Sequence, residues 1–209
     1  MVVTTQRSPV GQPITAEEFD RFLGQIDDDL CINYELVRGR LYQNITEPSG
    51  KHQGIIHHLM FNLMLHFRQY FLPLEVQSRT VCRLSPEDKR RPDLVVIEKE
   101  IWDRETQRQA ILESVPSLII EVVSNHWQDD YSEKFELYQR AGVGEYWIFD
   151  PRLARARNPE IEVPTLSVCL LTDGKYQVRQ YTEDRVLQSR LFPDLRISIN
   201  QVLREARIL

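Results

Sequence analysis

The sequence predicts one mixed α/β domain in which a β-sheet carries helices on both faces. Short apolar runs, rich in β-branched residues, alternate with segments of helical periodicity, which is typical of strands covered on both faces. The chain has 209 residues, of which 42% are hydrophobic. A chain of this length buries roughly 70% of the surface that its unfolded form exposes, so it needs neither metal nor disulfides to fold.

The domain is predicted to begin with a capped helix. Thr15 and Glu18 have the spacing of a capping box, which indicates that a helix starts there, and acidic residues at 27–29 end the pattern. We expect residues 1–14 to be disordered and residues 15–209 to form the single domain.

A hairpin and a long helix follow. Residues 32–37 and 41–44 read as two strands joined by a turn at Arg38-Gly39-Arg40. Over residues 55–67 the apolar side chains recur at helical spacing, with polar side chains on the opposite side. Pro73 closes this helix.

The second half of the chain predicts the centre of the sheet. Residues 93–97, 117–123 and 145–149 are short apolar runs, and we expect them to be central strands. Residues 130–141 are predicted as a helix, because their pattern is helical and Gly142 follows. The remaining segments are predicted as a strand over 76–84, a charged loop over 86–91, a charged loop or short helix over 99–114, an Arg-rich loop after Pro151, a hairpin around Asp173-Gly174 and a last helix from about Asn200.

Charge and cysteine content exclude several classes of protein. Twenty-six Lys and Arg against 31 Asp and Glu give a net charge of −5. A protein that coats nucleic acid or an anionic membrane with its whole surface usually carries a basic excess, so this charge disfavours that class. It does not exclude a local basic groove. Cys31, Cys82 and Cys169 show no C-x-x-C spacing, so neither a zinc ribbon nor a disulfide framework is indicated.

The sequence also predicts a cytoplasmic protein with no membrane partner. The first residues lack the apolar run of a signal peptide. No stretch approaches the ~18 apolar residues that a membrane-spanning helix needs.

Glu121 is the main anomaly, because it interrupts a seven-residue apolar run. Its own face of the predicted strand is formed by Ile119 and Val123, and a carboxylate there is costly unless it is paired, protonated or bound to a cation. Asp93 opens the preceding apolar strand directly after Pro92. Two acids from neighbouring strands, with a backbone carbonyl beside them, would form a hard-oxygen site suited to Mg²⁺. Alternatively, Asp93 is a turn residue and Glu121 pairs with a buried arginine.

Lys134 is the third candidate for this site. Asp130, Lys134 and Tyr138 are spaced i, i+4, i+8 and share one face of the predicted helix. If that helix packs on the strand of Glu121, the ammonium can reach the two acids and orient a water or stabilise a phosphate. The alternative is a surface ion pair between Asp130 and Lys134, worth on the order of a few tenths of a kcal/mol.

Four motifs follow one another along the chain in a specific order. They are Arg91-Pro92-Asp93-Leu94-Val95-Val96, Ile120-Glu121-Val122-Val123-Ser124, Asp130-x-x-x-Lys134-x-x-x-Tyr138, and the run from Gly142 to Pro151. Together they resemble the Uma2 family, restriction-endonuclease-like proteins that are abundant in cyanobacteria. Upstream, Thr15-x-x-Glu18-Phe19 resembles the opening helix of the family and residues 34–41 its acidic hairpin. The resemblance covers roughly residues 15–151.

The resemblance implies a restriction-endonuclease-like core of the PD-(D/E)-x-K type, a mixed sheet flanked by helices. Such a protein binds Mg²⁺ or Mn²⁺ and hydrolyses phosphodiester bonds in DNA. Mapped onto this chain, Asp93 and Glu121 would be the metal-binding acids and the backbone carbonyl of Val122 a further ligand. Glu35 would be an auxiliary catalytic acid from the hairpin.

The resemblance assigns the remaining site residues as well. Val123 stands where the nuclease motif has a lysine, and the family pattern implies that Lys134 takes the catalytic lysine role. His52 lies where the family has a histidine, and Asp130 and Tyr138 would be accessory residues. A homodimer is also implied by the resemblance.

Lys89, Arg90 and Arg91 form a basic run directly before Asp93. Because a phosphate backbone attracts clustered cations, these three residues are candidate nucleic-acid contacts. The alternative is a solvated charged loop.

Two functions of different classes remain open from the sequence. The first is a metal-dependent endonuclease that cleaves DNA. The second is a catalytically silent module that keeps the nuclease fold and binds nucleic acid or a partner, which the negative net charge and Val123 favour. A small-molecule α/β enzyme has little support, because the chain has neither a phosphate-cradling Gly-rich loop nor a G-x-S-x-G elbow.

Overall fold

The computed structural model describes residues 10–26, 34–43, 49–107, 109–153 and 157–209. In these ranges five α-helices flank two mixed β-sheets. The helices are α1 (Ala16–Leu23), α2 (Gly50–Gln69), α3 (Lys99–Glu105), α4 (Lys134–Ala141) and α5 (Ile199–Glu205). The strands are β1 (Tyr34–Val37), β2 (Arg40–Gln43), β3 (Leu74–Ser78), β4 (Val81–Ser85), β5 (Asp88–Arg90), β6 (Leu94–Glu98), β7 (Ile111–Leu112), β8 (Leu118–Val122), β9 (Glu145–Asp150), β10 (Thr165–Thr172) and β11 (Lys175–Thr182).

The larger sheet brings the two candidate acids together. Its six strands have the order β11-β10-β9-β8-β6-β3, and all its neighbouring pairs are antiparallel except the parallel pair β8 and β9. On β6 and β8, Leu94 lies opposite Ile120. Asp93, directly before β6, therefore lies beside Glu121 near the end of β8.

The larger sheet is covered on both faces, as the continuous apolar runs predict. One face packs against α2 and α5, with Ile55, Leu59 and Leu203 among the buried side chains. The opposite face packs against α4 and β4, with Leu137 and Cys82 buried there. Glu121 shares this second face with Ile119 and Val123, which confirms the face predicted for it.

The smaller sheet has the order β2-β1-β5-β4-β7 and carries α1. Phe19 of α1, Leu36 of β1 and Leu41 of β2 form its apolar core. The capping box of α1 is confirmed, since the Thr15 hydroxyl accepts a hydrogen bond from the Glu18 amide at 3.2 Å and the Thr15 amide donates to the Glu18 carboxylate at 2.7 Å.

Two predicted segments are wrong in detail. Residues 76–84 form two strands in different sheets, because the chain turns at Arg79, whose φ of 56° is left-handed. Residues 86–91 contain β5 rather than only a loop. Its side chains are charged yet buried, since Lys89 and Arg90 meet carboxylates of other segments and Asp88 pairs with Arg90, and no apolar alternation marks such a strand.

Several predicted boundaries lie outside the described residues. These are the end of the first helix at 27–29, the hairpin residues 32, 33 and 44, and most of the N-terminal segment. Within the described part of that segment, the structure differs from the expected disorder: the Gly11 amide donates to the Leu41 carbonyl at 2.7 Å and Pro13 forms a β-bridge with Arg40. The described helices include none that is long and apolar enough to cross a membrane.

Glu145, the first residue of β9, is fully buried and makes no ion pair with a described residue. Its carboxylate accepts hydrogen bonds from Trp147 Nε1 at 2.9 Å, Ser189 Oγ at 2.9 Å, Arg190 N at 2.6 Å and Leu191 N at 2.9 Å. The Glu145 carboxylate therefore fixes the loop at residues 189–191 to the first residue of β9.

Glu145→Gln is expected to lower the free energy of unfolding by about 1–3 kcal/mol. The amide group that replaces one carboxylate oxygen would face donors and leave a buried N–H group unpaired. Urea denaturation checks this value. Glu136→Gln is the matched control, because that side chain is exposed and pairs with Arg140 on the same helix. Equal losses in the two variants would contradict the role of Glu145.

Candidate active site

A cavity of about 740 Å³ lies at the end of β8. The smaller sheet contributes Glu35 and Tyr42 to its wall, and the segment before β6 contributes Asp93. Glu121 and Lys134 line it from the side of the larger sheet. The cavity therefore joins residues that are far apart in the chain.

Asp93 is held at the cavity by the end of β8. Its Oδ2 accepts a hydrogen bond from the Val122 amide at 2.7 Å. The Nε2 of His52, near the start of α2, lies 2.9 Å from the Val122 carbonyl oxygen and 3.5 Å from Asp93 Oδ2. Burial alone would lower the pKa of His52, but Asp93 and the Val122 carbonyl outweigh it and raise that pKa.

Glu121 lies in a closed polar network. Its side chain is buried, and its Oε1 accepts a hydrogen bond from Tyr138 at 2.6 Å and lies 3.1 Å from the Lys134 ammonium. Lys134 also donates to Asp130 Oδ1 at 2.9 Å. The shared helix face predicted for Asp130, Lys134 and Tyr138 is thus the face that meets Glu121.

The turn before α4 positions this network. Residues Asp129–Glu133 form a π-helical turn rather than the α-helix predicted there. The turn closes with the Lys134 amide donating to the Asp129 carbonyl, and the Asp130 carbonyl accepts a hydrogen bond from Tyr146 at 2.9 Å. Such turns occur often at functional sites, because they shift side chains relative to a regular helix.

Burial and charge perturb the acid and base groups of the network. Burial raises the pKa of Glu121 to about 8, against the opposing effect of Lys134. Burial also raises the pKa of Asp130. For Lys134, burial would lower the pKa, but Asp130 and Glu121 outweigh it and raise that pKa well above its ordinary value. Lys134 therefore remains an ammonium at neutral pH.

Glu35 reaches the cavity from the hairpin. Its Oε1 accepts a hydrogen bond from the Arg91 amide at 2.7 Å, and its Oε2 lies 4.0 Å from the Arg90 guanidinium. Glu35 thus lines the same cavity as Asp93 and Glu121 while it anchors the hairpin to the segment before β6.

The three residues of the basic run, Lys89, Arg90 and Arg91, do not form one exposed cationic surface. Lys89 is fully buried, and its ammonium lies 2.8 Å from Asp20 and 2.8 Å from Glu113, so the expected nucleic-acid contact at Lys89 is wrong. Arg90 and Arg91 do line the cavity. Their guanidinium groups have protein partners, which are Asp88 and Glu133 for Arg90 and the Arg79 carbonyl for Arg91. The sequence missed these roles, because Asp20, Glu113 and Glu133 are far from their cations along the chain, and the i, i+2 pair of Asp88 and Arg90 is informative only once β5 is recognised as a strand.

The donor set fits a hydrated hard cation. Among the described residues no group of three or more His, Cys, Asp or Glu side chains is arranged to hold a metal ion. Asp93 uses Oδ2 and Glu121 uses Oε1 in the protein, whereas the other oxygen of each accepts no hydrogen bond from a described residue. Mg²⁺ needs only one or two carboxylates and keeps several waters. These two oxygens and the Val122 carbonyl are oxygen donors of the kind that this ion prefers.

A family model and a solved structure to which this chain is similar are both described as nucleases. The model of the Uma2 family, described as "Putative restriction endonuclease", matches residues 16–200. A crystal structure from Anabaena variabilis, described as a putative nuclease belonging to DUF820, superposes with a TM-score of 0.69 at 19% identity and covers 93% of this chain and 99% of that chain. No curated protein matches the sequence.

Lys134→Met is expected to lower the free energy of unfolding by about 3–5 kcal/mol, because it leaves Glu121 and Asp130 buried without their cation. The loss is expected to be largest above pH 8 or so, the pKa of Glu121. Below that pH Glu121 is protonated in the folded wild type and in the folded variant alike, so its share of the loss disappears as the pH falls through about 8. Asp130, whose pKa is also raised by burial, loses its share in the same way at the pH where it takes up a proton.

Urea denaturation over this pH range measures the effect, with Lys175→Met as the control because Lys175 is exposed on β11. A loss for Lys134→Met that does not change with pH would contradict the buried ion network.

Proposed function

Because this chain belongs to the Uma2 family, we propose that it is a divalent-metal-dependent endonuclease that hydrolyses phosphodiester bonds in DNA. The observation that carries the proposal is the convergence of Asp93, Glu121 and Lys134 on one cavity. A structural ion pair alone would not require Asp93 to present a carboxylate oxygen at the same place.

Asp93 and Glu121, with the Val122 carbonyl, are proposed to hold Mg²⁺ or Mn²⁺. When bound, the cation would lower the pKa of a coordinated water and offset the charge that develops on the phosphate. His52 contacts both the Val122 carbonyl and Asp93, so its proposed role is to orient these two oxygens.

Lys134 is proposed to contact the reacting phosphate. Its charge is maintained by Asp130 and Glu121, and Tyr138 donates a hydrogen bond to the same oxygen of Glu121 that Lys134 contacts. A fixed ammonium costs no reorganisation when negative charge develops on phosphate oxygens. Glu35 is the proposed auxiliary acid that accepts a water proton.

The overall reaction is a hydrolysis. A water oxygen bonds to phosphorus while the bond from phosphorus to the leaving nucleoside oxygen breaks, and that oxygen takes up a proton. The water proton passes to a carboxylate of the site.

Asp93→Asn and Glu121→Gln are each expected to reduce metal-dependent DNA cleavage by roughly 100-fold or more. Each variant replaces a carboxylate metal ligand with an amide that has a similar shape but no charge. Cleavage of single-stranded, duplex and branched DNA with Mg²⁺ or Mn²⁺ is the measurement. Asp103→Asn, an exposed acid on α3, is the control and is expected to cleave like the wild type. Mn²⁺ titration calorimetry reports metal affinity separately.

The second candidate function is a silent nucleic-acid- or partner-binding module. The internal pairing of Arg90 and Arg91 favours it, since it leaves fewer cations for substrate. Metal binding without cleavage of any of the three DNA forms would support this module and contradict the endonuclease.

We also propose that the protein forms a homodimer, as the family resemblance implies. Support comes from an exposed apolar strip on and after α2, which consists of Phe61, Met64, Leu65 and Phe71. Phe61, Met64 and Leu65 share one face of α2 through their i, i+3, i+4 spacing, and exposed apolar surface of this kind is typical of protein interfaces.

Leu65→Glu is expected to shift the protein to a monomer, because it places a charge in this strip. Light scattering after size-exclusion chromatography measures the mass. Val178→Glu, an equally exposed apolar position on β11, is the control. A monomeric wild type would refute the dimer.

A further inference from the structure

Tyr42 is an aromatic residue on the rim of the cavity. It lies on β2 directly opposite Glu35 of β1, and directly opposed residues of an antiparallel pair have side chains on the same face. Both residues line the cavity. Tyr42 nevertheless remains 52% exposed, whereas its neighbour Leu41 points into the core of the smaller sheet. The Tyr42 ring can therefore contact a ligand that is bound in the cavity.

Arg79 is the second rim residue. It lines the cavity and is exposed, and its side chain makes no ion pair with any described residue. Its carbonyl accepts a hydrogen bond from the Arg91 guanidinium. Since the Arg91 amide donates to Glu35, a continuous series of contacts connects Arg79 through Arg91 and Glu35 to Tyr42.

The other described cations of the cavity are bound to protein groups. Lys134 contacts Glu121 and Asp130, and Arg90 contacts Asp88 and Glu133. Acidic side chains are numerous in the wall, and they are Glu35, Asp93, Glu121, Asp129, Asp130 and Glu133. Continuous duplex presents two phosphate backbones, and proteins bind it through many cationic contacts. This cavity does not offer them.

Single strands are bound in a different way. An aromatic side chain stacks on an unpaired base, and few cations then suffice to hold the phosphate. One exposed tyrosine and one unpaired arginine at the mouth of an otherwise acidic cavity match this requirement.

We infer that the cavity receives an unpaired nucleotide of DNA, with its base stacked on Tyr42 and a neighbouring phosphate contacted by Arg79. The inference rests on the proposed function for its choice of DNA. It adds the substrate class, which is a single strand or an unpaired end rather than continuous duplex. It also adds Tyr42 and Arg79 as residues that determine specificity.

Fluorescence anisotropy with labelled single-stranded and duplex DNA of the same sequence tests the inference. EDTA in the buffer separates binding from cleavage. Wild-type protein is expected to bind the single strand more tightly. Tyr42→Leu is expected to weaken this binding by roughly 5-fold to 150-fold, the range for loss of one stacked base, and Tyr42→Trp to preserve it.

Two further variants sharpen the test. Tyr70→Leu removes another exposed tyrosine, at the end of α2 and outside the cavity, and is expected to bind like the wild type. Arg79→Gln is expected to weaken binding and to lower the slope of log affinity against log salt by about one contact, whereas Arg79→Lys restores both. Thermal melting confirms that each variant is folded.

Equal affinity for duplex and single strand, or equal losses for Tyr42→Leu and Tyr70→Leu, would overturn the inference. Failure of the proposed function gives a different result. Single-strand binding that depends on Tyr42, without metal-dependent cleavage, would support the inference and refute the endonuclease. Metal-dependent cleavage of duplex DNA at the same rate in the wild type and in Tyr42→Leu would support the endonuclease and refute the inference.

Discussion

The burial of Glu121 within a covered strand is the constraint on which the site depends. A carboxylate at that position has lost its water and must be compensated by protein groups. Lys134 and Tyr138 supply the compensation from α4, and Asp130 holds Lys134 from the π-helical turn. The position of α4 on the larger sheet is therefore fixed by polar contacts as well as by its apolar face. The same contacts place an ammonium and a carboxylate at one wall of the cavity.

Much of the central architecture was predictable from the sequence because it follows from periodicity. Glu121 is recognisable as an anomaly since its neighbours on the same face, Ile119 and Val123, are apolar. The spacing of Lys134 from Asp130 places both on one helix face, and helices and strands of the larger sheet follow their apolar patterns. The fold agrees with that of the Anabaena variabilis structure. The convergence of Asp93 with Glu121 additionally needed the antiparallel register of β6 and β8, which no local pattern contains.

The smaller sheet was less predictable, because its strands are shaped by contacts between distant segments. Lys89 is buried only because Asp20 and Glu113 meet it from α1 and from the segment after β7. From the sequence, the same residue belongs to a solvated basic run. The break at Arg79 is similarly invisible, since a left-handed arginine between Ser78 and Thr80 has no signature in residue order. The net charge of −5 is informative in retrospect, because the acids that produce it include those of the cavity.

The hairpin of β1 and β2 contacts two different parts of the molecule through two different kinds of side chain. Its apolar residues pack with α1, whereas Arg38 connects it to Glu133 and Glu35 connects it to the Arg91 amide. The hairpin therefore supports one wall of the cavity through its charged side chains and the smaller sheet through its apolar ones.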